Sequence, residues 1–382
     1  MIFGFDIESS YNVPNFARGQ TIDITNERLQ KQMNYEHIRE FNKIHASLRH
    51  STRHVIEGTI IAEMTFENEA WSWITGCVLG TRTEIDGYEF STSNNAWGIL
   101  IGYLDVGLSA DSTSFTINED VAGAFDNVDA VIINDEFITI SAISGGSVTG
   151  SSRAQGGTVA RTHQVKDLVY GVQLDAGRKI VLTHRTKTNN FYQDNISLSA
   201  VLNRGGVLFG YSGLKIEEIS FNFRVYDPIV THVTFMGADS TNDISLLDPG
   251  NVDNNDIIAL EDIKVYSEHN EEQMRQFYIE MHNSLTVGSS GFGAVPQALL
   301  NQQTSTYGVL TWTFDSLQTV LEYEQNTKRN YSVSLGKGNY RMIFALNNVR
   351  VNTVSHYQDG ELIIQDSAPW YSYENPVIMY QF

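Results

Sequence analysis

The chain has 382 residues, 41% of them hydrophobic and 11% aromatic, which is enough apolar side chain to bury a core in two or three domains and too much for a disordered chain. Its 25 Lys and Arg against 45 Asp and Glu leave a formal charge of −20, which argues against binding the outside of nucleic acid, because that needs clustered cations to displace counterions. The one cysteine, Cys77, excludes an internal disulfide and a thiolate zinc site, and points to maturation in a reducing cytoplasm.

The opening Met1 to Glu8 lacks a basic stretch followed by an apolar one, and no window is apolar for the length of a membrane helix, so neither an export signal nor a membrane span is expected. Short runs of Thr, Ser, Val, Ile, Tyr and Phe, with only 6 prolines, predict a mainly β fold. Asn26 to Leu48 carries Leu29, Met33, Phe41, Ile44 and Leu48 and fits either an amphipathic helix or an extended arm. His45, His50 and His54 lie close together, and on a helix His50 and His54 would share a face as metal ligands do; without a carboxylate pair beside them they read as solvated polar residues. Thr59 to Phe66 alternates, with Ile60, Ala62, Met64 and Phe66 on one face, which predicts a strand. Asn68 then caps a predicted helix over residues 69–79, where Ala70, Trp71, Ile74 and Val78 recur at helical spacing before the stop at Gly80.

Between Leu108 and Leu174 lies a Gly/Ser-rich segment with a predicted strand over Val131 to Ser141 and a return around Val148. Gly145-Gly146 and Gly156-Gly157 read as turns, since no strand-to-helix Gly-x-Gly-x-x-Gly surrounds them. Acidic residues outnumber basic ones here, as expected of an exposed, independent β-module. Strands follow at Gly213 to Ile219 and Pro228 to Phe235, then Gly237 to Asp262, which holds seven acidic residues and no Lys or Arg and reads as a solvated linker. Asp248, Asn251, Asp253 and Asp256 within it lack the loop glycine and terminal glutamate of a calcium-binding EF-hand. Glu268 to Leu285, with Met274, Phe277, Met281 and Leu285, is a predicted amphipathic helix.

Parts of this grammar occur twice. Gly308 to Phe314 alternates like Thr59 to Phe66 and is followed by Asp315 as cap and by Leu317, Val320, Leu321 and Glu324 at helical spacing, which matches Phe66 with Phe314. At one constant offset Phe209 meets Phe344, Leu214 meets Val349, Lys215 meets Arg350, Ile216 meets Val351 and Ile219 meets Val354. The expected organisation is two copies of one β-domain, 1–107 with 175–240 and 263–382, with the module 108–174 inserted in the first and the acidic linker 241–262 between them. No nucleophile elbow, phosphate loop or His-Glu-x-x-His occurs, and Trp71, Trp73 and Trp312 read as core rather than as a carbohydrate platform with Trp370. No catalytic residue, metal or cofactor is expected, and the chain reads as a non-enzyme.

Tyr211-Ser-Gly-Leu-Lys-Ile-Glu-Glu-Ile-Ser-Phe-Asn-Phe223, running on through Ile229 to Gly237, resembles the closing strands of bacteriophage tail tube proteins. The start Glu8-Ser-Ser-Tyr-Asn-Val-Pro14 and the later Gly58-Thr-Ile60 are similar to that family's Glu-Ser/Thr-x-Tyr-Gly-x-Pro opening and Gly-x-Ile/Leu strand, with Asn12 in place of the usual glycine. Asn134-Asp-Glu-Phe-Ile-Thr-Ile140 with Arg153-Ala-Gln-Gly-Gly-Thr-Val-Ala-Arg-Thr-His163 resembles a module common in phage virion and tail proteins, with Ala154 replacing its first glycine.

The resemblance implies tandem tail-tube-type β-sandwich or barrel domains, each with a flanking helix, whose strands join those of neighbouring subunits around a channel. A duplicated chain would then form trimeric, pseudohexameric rings that stack in the virion tail after assembly in the host cytoplasm. Expected partners are the chain itself, the tape measure, tail terminator and distal tail or baseplate proteins, and DNA passing without tight binding. Glu63, Glu217 and Glu218 are expected to face the channel, where acidic walls repel DNA. Arg18, Arg28, Lys31, Arg39, Lys43, Arg49 and Arg53 are expected between rings. The alternative is a tail-tip, baseplate-hub or distal tail protein on the same domain, with the insert binding a host surface.

Overall fold

A computed structural model describes residues 1–17, 19–38, 47–65, 68–92, 99–119, 122–185, 187–188, 191–192, 196–224, 227–242, 263–267, 270–272, 274–287, 299–313, 324–352, 355–359, 363–372, 374 and 376–382. The protein is mainly β, 66% strand and 4% helix, with antiparallel pairing throughout. The chain opens with β1 (Ile2–Ile7), β2 (Gln20–Asp23), β3 (Asn26–Glu27), β4 (Gln30–Ile38) and β5 (Ser47–Glu63), then α1 (Ala70–Leu79) and β6 (Thr81–Phe90). A run of short strands follows: β7 (Ile101–Leu104), β8 (Phe115–Asn118), β9 (Ala130–Ile133), β10 (Glu136–Thr139), β11 (Ala142–Ser144), β12 (Ser147–Thr149) and β13 (Ser152–Gln155). The long β14 (Leu168–His184) returns to pair with β6, and β15 (Lys187–Thr188) and β16 (Phe191–Tyr192) form a separate ribbon. Then come β17 (Leu198–Arg204), β18 (Val207–Arg224), β19 (Val230–Gly237) and β20 (Asp239–Thr241). The remaining strands are β21 (Ile263–Ser267), β22 (Asn270–Glu272), β23 (Met274–Val287), β24 (Leu299–Thr313), β25 (Arg329–Lys337), β26 (Tyr340–Val351), β27 (Ser355–Asp359), β28 (Ile363–Ser372) and β29 (Val377–Gln381).

The helix forms where its caps stand. The Asn68 Oδ1 accepts the Ala70 N–H at 3.0 Å, and Gly80, at φ 93, sends its N–H to the Gly76 carbonyl. All its residues but Trp73 are buried, so it is a core helix and not a surface one. In place of the helix expected over 268–285, the described residues form β22 and β23, with Phe277, Ile279, Met281, Asn283 and Leu285 of β23 buried at every second position. Period two outweighed the looser helical spacing of Met274, Phe277, Met281 and Leu285. The segment 26–48 takes its extended alternative as β3, β4 and the start of β5, so His50 and His54 lie on a strand; Phe41, Ile44 and His45 fall outside the described residues. The single strand expected over 131–141 is a hairpin, since Asn134 turns at φ 54 and sets Glu136 opposite Ile133. The glycine pairs at 145–146 and 156–157 all have positive φ and turn the chain as expected. Residues 243–262, the second predicted cap and helix over 315–323, and Phe66 and Phe314 lie outside the described residues.

One order of pairings occurs twice. In one layer β2–β1–β17–β18–β20 is matched by β22–β21–β25–β26–β29, and in the facing layer β4–β5–β19–β18 is matched by β23–β24–β28–β27. The irregularities repeat with the ladders. The β17–β18 hairpin gains a residue at Gly213 (φ 63) and the β25–β26 hairpin at Asn348 (φ 54), which stand at the offset that relates Leu214 to Val349. A second extra residue falls between Ile216, facing Phe235, and Glu218, facing Thr234; likewise between Val351, facing Trp370, and Ser355, facing Ser367. Gly58 of β5 and Gly308 of β24 hold equivalent places, and at each a Cβ would strike a backbone carbonyl, that of Arg28 or of Tyr278. The ladders thus equate Glu63 with Thr313, two positions away from a match of Phe66 with Phe314.

The two sets are joined through β18, which pairs with β23 from Glu218–His282 to Arg224–Gln276, while on the other layer of the second set β29 continues into β14, outside the first set, from Ile180–Gln381 to Thr183–Ile378. Between the layers lies one continuous core running from Phe3 and Trp71 through Phe221 and Phe235 to Phe277, Phe344 and Trp370. Each such buried side chain contributes roughly 1.5–3 kcal/mol. A separate cluster around Phe125, Ile133, Ile138 and Val148 serves the short strands and extends to Leu100 and Leu104.

Candidate functional site: an acidic face, two open edges and a carboxylate hub

The joined sheet β4–β5–β19–β18–β23–β24–β28 packs one face on the core and leaves the other half-exposed. Strand alternation places Glu57, Glu63, Glu218 and Glu280 on that outer face, and the extra residue Glu217 beside Glu57 and His282. Rows cross the strands in register: Glu63, Val230, Asn222, Tyr278 and Val309 form one, and Ile61, His232, Ser220, Glu280 and Tyr307 the next. The phenols of Tyr278 and Tyr307 both donate to the Glu280 carboxylate, the first at 2.6 Å. Burial raises the pKa of Glu218, and Glu280 and Glu217 add to the rise against His282. Burial also raises Glu217, with His282 opposing and Glu57 adding. Burial and the bond to Glu280 push Tyr278 up to about 12. Among the described residues Arg224 reaches this face at the end of β18 and Arg28 at its open edge.

The three expected channel residues therefore share one face. The expected inter-ring cations separate. Arg28 is exposed beside Thr59, while Lys31, on the other face, pairs with Asp239 at 3.3 Å, where the His54 imidazole also bonds at 2.9 Å. Arg49 and Arg53 lie on the arm half of β5, and Arg18, Arg39 and Lys43 lie outside the described residues.

Among the described residues the edges at the two ends of this sheet, β3–β4 and β27, are open: β3 and β4 pair with β5 alone, and β27 with β28 alone. At the first edge Arg28 donates its N–H to Thr59 of β5, so Leu29 turns its peptide groups outward. A side-chain clasp meets them: the Glu27 carboxylate accepts the Leu29 N–H at 3.0 Å, and Arg204 donates to the Leu29 carbonyl at 2.6 Å while holding Glu27 through two 2.6 Å bonds.

In the short-strand module the motif residues converge on Glu136, which is fully buried. Its carboxylate accepts two 2.6 Å bonds from Arg153, one from His163 Nε2 at 2.9 Å, and the N–H groups of Ala154 and Arg161. Burial pushes its pKa up, but these donors outweigh burial and hold it at about 2. Thr158 accepts the Phe137 N–H and donates to the Gln155 carbonyl. The spacing of Glu136, Arg153, Thr158 and His163 in the resembled pattern is the sequence signal of this hub. The module also touches the second set of strands, where Asn347 donates to Asn134 and Asn330 to the Lys166 carbonyl. A polar cavity of about 340 Å³ lies along this seam, lined by Asp135, Arg161, Asp167, His184, Asn347 and Glu374 among others.

Among the described residues no group of His, Cys, Asp or Glu is arranged to hold a metal, and no helix is long and apolar enough to cross a membrane. Comparison with protein-family models and with curated proteins finds no match.

Proposed function

We propose that the chain is a structural subunit of a phage-type tail tube, acting by assembly and without catalysis. The observation that carries this reading is the twice-repeated pairing order, set side by side in one acid-faced sheet that ends in two open edges. A repeated unit that continues edge to edge is what a ring wall needs, and closing the ring disposes of edges that would otherwise aggregate. The domains are then 1–107 with 175–240 and 263–382, the acidic linker spans 241–262, and the module 108–174 decorates the outside. Trimeric, pseudohexameric rings stack into a channel whose wall is the face bearing Glu63, Glu217 and Glu218, repelling DNA in transit. Both residues that depart from the glycines of the resembled patterns, Asn12 at φ 57 and Ala154 at φ 54, stand in the left-handed region that favours glycine, which supports the resemblance. In this reading the chain works in the virion tail, with tape measure, terminator and distal tail proteins as neighbours.

Electron microscopy of the purified chain tests it. Long hollow cylinders are expected. Discrete rings that never stack would instead favour the tail-tip or baseplate-hub reading, with the module as host-surface binder.

A further inference from the structure

The joint inside the chain is a template for a joint between chains. In the first set of strands the order is β4–β5–β19–β18, and the outer side of β18 is taken by β23, the first strand of the second set. In the second set β27 holds the place of β18, because Asn222 faces Val230 as Tyr357 faces Gln365. The segment Asn26 to Gln32 holds the place of β23, because Arg28 lies against Thr59 as Tyr278 lies against Val309, one residue beyond Gly58 and Gly308. The outer sides of β27 and of Asn26 to Gln32 are the two open edges. They are the same two surfaces that meet in the β18–β23 ladder.

We infer that a second copy of this chain lays its β27 antiparallel on Asn26 to Gln32, in the register copied from β18–β23. The pair Asn222–Tyr278 becomes Tyr357–Arg28, Ser220–Glu280 becomes Ser355–Gln30, and Phe221–Ile279 becomes His356–Leu29. The inference rests on the tube reading for its partner, and adds which strands join and residue by residue how. The alternation fits: Leu29 presents its peptide groups outward, as Ile279 does to Phe221, and Arg28 and Tyr357 fall at a position without cross-strand hydrogen bonds, where side chains approach most closely. Before a partner arrives the Glu27–Arg204 clasp occupies the Leu29 N–H and carbonyl, so joining exchanges side-chain bonds for a backbone ladder. An edge satisfied by its own side chains is also protected from pairing with the wrong strand.

Engineered cysteines decide the register, because Cys77 is buried and burial holds its thiol up at about 12, leaving it inert. The full chain carrying Arg28→Cys with Tyr357→Cys, and separately Gln30→Cys with Ser355→Cys, is expected to form reducible intermolecular ladders at least about tenfold faster than Arg28→Cys with His356→Cys, whose Cβ atoms would point to opposite faces. Each single-cysteine variant sets the background. Two in-register pairs guard against one variant misfolding. Equal rates for in-register and slipped pairs, or no ladder from either in-register pair, would overturn the inference. Hollow cylinders without in-register crosslinks would sink the pairing and leave the tube reading standing, whereas ladders without cylinders would do the reverse.

Discussion

Replacing Glu136 by glutamine keeps the shape of the side chain and removes the charge on which Arg153, His163 and two backbone N–H groups converge. The carboxyl is held near 2 against an ordinary 4.5, a difference worth about 3 kcal/mol between the native and unfolded chains. Because the native pKa is depressed, that stability is fully present above the unfolded value and is lost as pH falls through about 2. The substitution also leaves the buried Arg153 guanidinium without its counter-charge, so the expected loss at neutral pH is roughly 3–5 kcal/mol. Urea unfolding of wild type and variant, with hydrogen exchange at the Ala154 and Arg161 amides, reads the effect where it arises. The gap between the two proteins should narrow from pH 5 toward pH 2. A variant within about 0.5 kcal/mol of wild type, or a gap indifferent to acid, would refute the account of the hub as a net stabiliser.

Three further outcomes follow from local geometry. Ala154→Gly should raise the unfolding free energy by about 0.5–1 kcal/mol, read as a higher midpoint, since alanine at positive φ costs roughly 1–2 kcal/mol and glycine returns part of that gain as chain entropy; a lowered midpoint would count against the strain. Gly308→Ala should destabilise by about 1–3 kcal/mol or more in thermal or urea unfolding, because its Cβ meets the Tyr278 carbonyl and the Trp370 ring, and Gly58→Ala should do the same against Arg28; wild-type midpoints in both would remove the close-approach argument. For Glu218, a raised native pKa means that its carboxyl favours folding most below the unfolded value and loses that contribution as pH rises through the native one. Glu218→Gln should therefore raise the thermal midpoint at pH 7 and shrink the gain that wild type shows on going to pH 5, and an unchanged gain would exclude this carboxyl as its source.

Local order was legible wherever short-range signals agreed. The strand ending at Glu63 and the helix over 70–79 followed from alternation, a cap and a glycine stop, and the offset relating Leu214 to Val349 reached as far as the extra residues at Gly213 and Asn348. Residues 274–287 misled because Phe277, Met281 and Leu285, four apart, fit both periods and Met274 adds a helical spacing, and only the partners β18 and β24 decide between them. The Asn134 turn was missed because apolar residues flank it on both sides and the turn dipeptide Asn-Asp lacks glycine. The acidic face was half legible: alternation gives the parity of Glu63 and Glu218, but neither Glu280 nor the joining of β18 to β23 has a local signature. The Glu27–Arg204 clasp links residues far apart in the chain and had none at all.

Strand β29 closes a part of the fold that begins far earlier in the chain. Its residues Val377 to Gln381 pair with β14, and Ile378 lies 195 positions beyond Thr183, whose hydroxyl bonds its carbonyl. At a translation rate of roughly 5–20 residues per second, β14 waits roughly 10–40 s with one side unpaired. The sheet edge of β14 that faces β29 therefore stays unpaired until a segment almost two hundred positions further along has been made, so this part of the first half is closed by residues of the second.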